Sequence, residues 1–103
     1  MKLLFICNQN KNRSKKAELL LKNRHETKSA GLFNEKPVTK EQIDWADSIF
    51  VMEDEQRKEL GLRFPQQYLK KRIVSLDIPD IYSRDQPELE LVLMKKIKKS
   101  KLI

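Results

Sequence analysis

The chain has one cysteine, one histidine and two glycines in 103 residues, and no more than five apolar residues ever run together. Each scarcity excludes something. A lone Cys7 has no partner for an internal disulfide, and Cys7 with His25 falls short of a structural zinc site. Met1-Lys2 is followed by only five apolar residues, too few for a secretory signal core or a membrane span. These absences point to a reducing cytoplasm and to no membrane partner. With few glycines and no low-complexity tract, the chain also lacks the marks of a disordered segment. Acidic residues are in deficit, 15 against 22 basic ones, for a net charge of +7. That balance favours anionic partners without choosing among nucleic acid, phosphorylated molecules and an anionic surface.

What is present is 39% hydrophobic and 36% charged, with the apolar residues clustered enough to build one small core. The length suits a single domain spanning 1–103. Leu3 to Cys7 (LLFIC) is a continuous apolar run and reads as a strand buried on both faces. Ala17, Leu20 and Leu21 recur at helical spacing, which predicts a helix from Ser14 to about Asn23. Glu26 to Ala30 reads as a weak strand stopped by Gly31. Thr39-Lys40-Glu41-Gln42 is a capping box and starts a helix through Ile43 and Trp45 to Ala46. Ser48 to Met52 (SIFVM) is a third strand, and Asp54 to Leu60 a short helix with Gly61 just past its end.

Tyr68 is expected on a connecting loop. Arg72 to Leu76 is a fourth strand, and Asp77 to Arg84 a loop. Asp85 is the expected cap of a last helix with Pro87 in its first turn and Leu89, Val92, Leu93 and Ile97 on its apolar stripe. Trp45, Phe50 and Phe64 are expected in the core. Alternating strands and helices predict a three-layer α/β/α fold of flavodoxin type around a four-stranded parallel sheet. In such sheets ligands bind beyond the carboxyl ends of the strands, which is where Cys7 stands.

The segment after that strand is CNQNKNRS, residues 7–14. Its successive amides can curl into an anion nest, and the following helix adds its N-terminal amides and dipole. Arg13 can add a planar fork for two oxygens. The same groups stabilise a thiolate at Cys7, placed for in-line attack on a bound phosphoryl group. Ser14 can donate to that sulfur, and Lys11 adds positive potential. Asn10 is mid-loop and of a residue type that takes a left-handed backbone readily. The plainer alternative is that Cys7 is a small buried hydrophobe and the spacing to Arg13 is chance.

With these residues in view, the chain resembles the low molecular weight protein tyrosine phosphatases, whose signature is Cys, five residues, Arg, then Ser or Thr, between first strand and first helix. SAG at 29–31, ADSIFVMED at 46–54 and IPDIY at 78–82 extend the resemblance over most of the chain. The resemblance implies the fold of that family, a cysteinyl-phosphate mechanism and no cofactor or metal. It implies Cys7 as nucleophile, Arg13 as phosphate clamp, Asp80 as general acid and Tyr82 as the aromatic beside the cleft mouth. Asn8, Gln9, Asn10, Lys11, Asn12 and Ser14 would line the phosphate loop, with Ser14 supporting the thiolate and Asn10 the loop's shape. The chain departs from the family pattern at Gln9, where most members have Gly, and at Lys15 and Ile81, which replace prolines.

Three functions compete at this point. The first is a phosphomonoester hydrolase of the protein tyrosine phosphatase kind, acting on a phosphotyrosine protein or a small aryl phosphate. The second is a module of the same fold that binds phosphate without turnover, suggested by the missing Gly and Pro residues. The third is a nucleic-acid-binding protein, suggested by the charge and the KKIKKSKLI end. That end lacks interleaved aromatic residues and suits a solvated helix terminus with Lys against the dipole, so nucleic acid is the weakest partner. A thiol-relay arsenate reductase would need further cysteines.

Overall fold

The computed structural model describes residues 1–101. Of the basic end, Leu102 and Ile103 lie outside the described residues. The elements run β1 (Lys2–Cys7), α1 (Arg13–Leu21), β2 (Glu26–Gly31), α2 (Lys40–Trp45), β3 (Ser48–Val51), α3 (Asp54–Arg63), α4 (Pro65–Lys70), β4 (Arg72–Ser75) and α5 (Pro87–Ser100). The four strands form one sheet in the order β2-β1-β3-β4, and every pairing is parallel. This is the expected α/β architecture.

The sheet's two faces follow the strand period of two. Leu3, Phe5 and Cys7 point to one face, where α1 and α5 pack through Ala17, Leu21, Leu89, Leu93 and Ile97. Leu4 and Ile6 point to the other, against Ile43 and Leu60 from α2 and α3. Phe5 stacks on Phe50 of the neighbouring strand with ring centroids 5.3 Å apart. Of the other expected core aromatics, Trp45 and Phe64 are partly buried against the α2–α3 face. Cys7 is therefore the last inward position of the central strand, on the face that α1 covers. The chain leaves β1 to one side to reach β2, then crosses to β3 on the other side. That reversal makes the crevice beyond β1 and β3 the place where a ligand fits.

The capping box at Thr39 forms as expected: Thr39 Oγ1 accepts from Gln42 N at 3.2 Å, and Thr39 N donates to Gln42 Oε1 at 3.0 Å. Three local expectations need correction. Gly61 lies inside α3, which runs on to Arg63. Pro65 is what ends that helix, because the residue before a proline is pushed out of helical conformation; Phe64 has φ −132° and ψ 64°. The same proline opens α4, so Tyr68 sits on a helix and packs against the core. Asp85 does not cap α5; Gln86 is the cap residue, and its side chain accepts from Ser83 N.

Candidate active site

Residues 8–12 form a tight loop between β1 and α1, with Asn10 in left-handed conformation at φ 56°. That turn directs Asn10 N back to Cys7 Sγ at 3.2 Å. Ser14 Oγ lies 2.9 Å from the same sulfur and 2.8 Å from Asn10 Oδ1. The thiol thus sits under the loop with a backbone amide and a hydroxyl beside it, 4% exposed. Asn12 is the cap residue of α1, yet its side chain makes no bond to the helix. Its Oδ1 accepts instead from Arg84 N at 3.1 Å, which joins the loop to the segment after β4. No acidic side chain occupies the first turn of α1 either. The N-terminal amides and dipole of that helix are left available to an anion.

Arg13 is 2% exposed and is the largest fully buried side chain. A buried guanidinium needs partners, and this one has them: Nη1 donates to Glu53 Oε1 at 2.6 Å and to the Ile78 carbonyl at 2.7 Å. Both bonds run from Nη1, so the Nε and Nη2 donors remain for another group. Asp80 Oδ1 lies 3.8 Å from Nε, and its side chain is 61% exposed. Cys7, Gln9, Lys11, Asn12, Arg13 and Asp80 line one cavity of about 70 Å³. A water needs only ~10–15 Å³ of such space, so there is room here for a small oxyanion.

Of the other expected site residues, Asn8 and Tyr82 are not among the residues lining this cavity, while Gln9 lines it and is also tied to the next loop. The Asn8 side chain turns away from this cavity to accept from Gln56 Nε2 at 3.1 Å. Gln9 Nε2 reaches the Phe33 carbonyl at 3.4 Å. Tyr82 is half-buried against the α1–α5 core and is not among the cavity's walls.

Sequence reasoning missed Glu53, Gln56 and Phe33. Gln56 is buried, and its Oε1 accepts from Met52 N at 2.8 Å and Glu53 N at 3.0 Å, which holds the exit of β3 against the loop. Glu53 carried a signal, an acidic residue just past a strand end at the crevice, but nothing local showed that Arg13 would be its partner. Phe33 is 56% exposed and is tied to the loop through its amide, which donates to the Asn8 carbonyl at 2.9 Å.

No protein-family model and no curated protein sequence matches the chain. Solved structures do. The YwlE arginine phosphatase from Geobacillus stearothermophilus is 24% identical, with a TM-score of 0.71 over 98% of this chain and 95% of its own. A YwlE arginine phosphatase variant with a phosphorylated active-site serine is 19% identical, with a TM-score of 0.76 over 99% of this chain and 97% of its own. The low molecular weight protein tyrosine phosphatase SP-PTP from Streptococcus pyogenes is 20% identical, with a TM-score of 0.80 over 99% of this chain and 93% of its own. The chain therefore has the fold of the low molecular weight protein tyrosine phosphatases over nearly all of its length.

Proposed function

We propose that the chain is a phosphomonoester hydrolase that works through a cysteinyl-phosphate intermediate on Cys7. The observation that carries this reading is the convergence of Cys7, Arg13 and Asp80 on one oxyanion-sized cavity, beneath a helix start with no side-chain cap. The phosphatase neighbours of the same fold support it, one of them phosphorylated at an active-site serine.

In the proposed reaction Nε and Nη2 of Arg13 and the loop amides hold the phosphoryl oxygens and stabilise charge as the transition state forms. The Cys7 thiolate attacks phosphorus, and the bond from phosphorus to the leaving oxygen breaks. Asp80 in its acid form gives that oxygen its proton. In the second half, the Asp80 carboxylate takes a proton from water as the water oxygen attacks phosphorus. The phosphorus–sulfur bond breaks, and the thiolate and inorganic phosphate are released. Asn10 N donates to the sulfur as it leaves, and Ser14 Oγ, which donates to Asn10 Oδ1, holds that turn in place. A phosphotyrosine side chain or a small aryl phosphate is the leaving partner this chemistry suits, in the cytoplasm, with no cofactor. A phosphoarginine substrate is a second reading, favoured by the two YwlE neighbours.

Release of phenol from para-nitrophenyl phosphate tests the reading. Wild type turns over, and Cys7→Ser falls by more than about a thousandfold while still being stabilised by inorganic phosphate. Equal rates in the two proteins would sink the mechanism. Phosphate-dependent stabilisation without turnover in wild type would leave a binding module of the same fold.

A further inference from the structure

Two clefts of opposite character adjoin the loop over Cys7, one through Asn8 and one through Asn10, Lys11 and Asn12. On one side, a cleft of about 260 Å³ carries Glu53, Glu55 and Glu59 on its wall, beside Phe33. On the other, a cleft of about 370 Å³ is lined by Asn10, Lys11, Asn12, Ser83, Arg84 and Asp85. Lys11 and Asn12 also line the Cys7 cavity, so the second cleft and that cavity share a wall. The bond from Arg84 N to Asn12 Oδ1 holds the two loops that carry the cations in one arrangement.

The charges on the two sides are not equally committed. Glu53 is paired with Arg13 and Glu59 with Arg63, which leaves Glu55 as the acid of the first cleft with no ion pair among the described residues. Near the second cleft, Lys15 pairs with Glu18 and Lys16 with Glu90. Lys11 and Arg84 are exposed and enter no ion pair among the described residues. Asp85 is the one acid of that cleft, so its walls keep a positive balance. A second anion on the substrate is attracted to the Lys11–Arg84 side and repelled from the Glu55 side.

We propose that Lys11 and Arg84 form a second anion subsite beside the Cys7 cavity, and that the substrate is a phosphorylated peptide with an acidic residue next to the phosphorylated one. Cavities that share two wall residues are within reach of neighbouring residues of one extended peptide. The proposal rests on the phosphatase reading for the seat of the phosphate and adds the direction in which the peptide lies.

The test is equilibrium binding of two fluorescent phosphotyrosine peptides to the full Cys7→Ser chain. The peptides are identical except for Glu or Gln on both flanks of the phosphotyrosine. Two exposed ion pairs predict about fivefold tighter binding of the Glu peptide. That ratio falls below about twofold in Lys11→Gln/Arg84→Gln, and also at 1 M salt, where screening reaches ~3 Å. Glu55→Gln raises it, because the flanking Glu on that side then meets one repelling carboxylate fewer. A ratio near one, a ratio unchanged in the double variant, or no binding of either peptide would overturn the subsite. Turnover of para-nitrophenyl phosphate by wild type is read separately. If turnover is absent while the ratio holds, the phosphatase reading falls and the subsite stands.

Discussion

The floor and the rim of the Cys7 cavity are built in different ways. On the floor, Cys7, Arg13 and Ser14 are 4%, 2% and 0% exposed. They lie on or next to the central strand, and their polar atoms are bonded to one another, to Glu53 and to the Ile78 carbonyl. On the rim, Asp80 is 61% exposed, and its contact with Arg13 is an ion pair at 3.8 Å. Its segment is tied to the loop by the bond between Arg84 N and Asn12. Altering the floor leaves buried polar atoms short of a partner, which costs stability. The rim can change with little cost to folding. Chemistry that needs fixed geometry therefore belongs on the floor, and discrimination among substrates belongs on the rim.

Substitutions on the two levels should separate rate from stability. Asp80→Asn is expected to lower turnover of phenyl phosphate by about a hundredfold and of para-nitrophenyl phosphate by less, since a better leaving group needs its proton less. The melting temperature should stay within a few degrees of wild type. A loss of stability as large as that of a floor variant would break the distinction.

Glu53→Gln acts on the floor. It removes the charge that holds a buried guanidinium, so it should cost about 2 kcal/mol of stability, discounted because Glu53 itself is 38% exposed. It should also lower kcat/KM by about tenfold as Arg13 loses its orientation. Denaturant unfolding and steady-state kinetics on the same sample would show both losses. A rate loss at unchanged stability would place Glu53 with the rim.

Gly61→Ala is the smallest change and touches neither level. The nearest atom to an added Cβ there is in the Tyr68 ring at 3.4 Å, an ordinary contact, and the position is inside α3. The variant should gain about 0.5–1 kcal/mol, or a few degrees in melting temperature, with unchanged turnover. A fall in turnover would couple the α3–α4 layer to the site.

The stretch from Leu3 to Ser14 was legible because it combines three local signals: an apolar run for a buried strand, a polar loop and a helical pattern. Together they place a cysteine at the carboxyl end of a buried strand, beside a helix start. Glu53 was not legible as a partner of Arg13 because the two are forty residues apart, and only the pairing of β1 with β3 brings their ends together. Gly61 and Asp85 were misread for a different reason. Glycine is compatible with both a helix end and a helix interior, and Asp with both a cap and an exposed turn. Pro65 made the choice in the first case, and in the second the helix starts one residue later, after Gln86, with no side-chain cap. Tyr82, which the resemblance places beside the mouth, is half-buried against the α1–α5 core, and Phe33 is a second aromatic, exposed beside the loop.

By itself the sequence determined the alternation of strands and helices, the parallel sheet and the position of Cys7 and Arg13 around one loop. All of these follow from periodicities and contacts within a dozen residues. Tertiary structure alone decided that Glu53 and the Ile78 carbonyl hold Arg13, that Asn8 turns to Gln56, and that Lys11 meets Arg84 across one cleft. Those pairings depend on which strand ends lie side by side, and the order β2-β1-β3-β4 sets that through packing of the two sheet faces, not through any local residue preference.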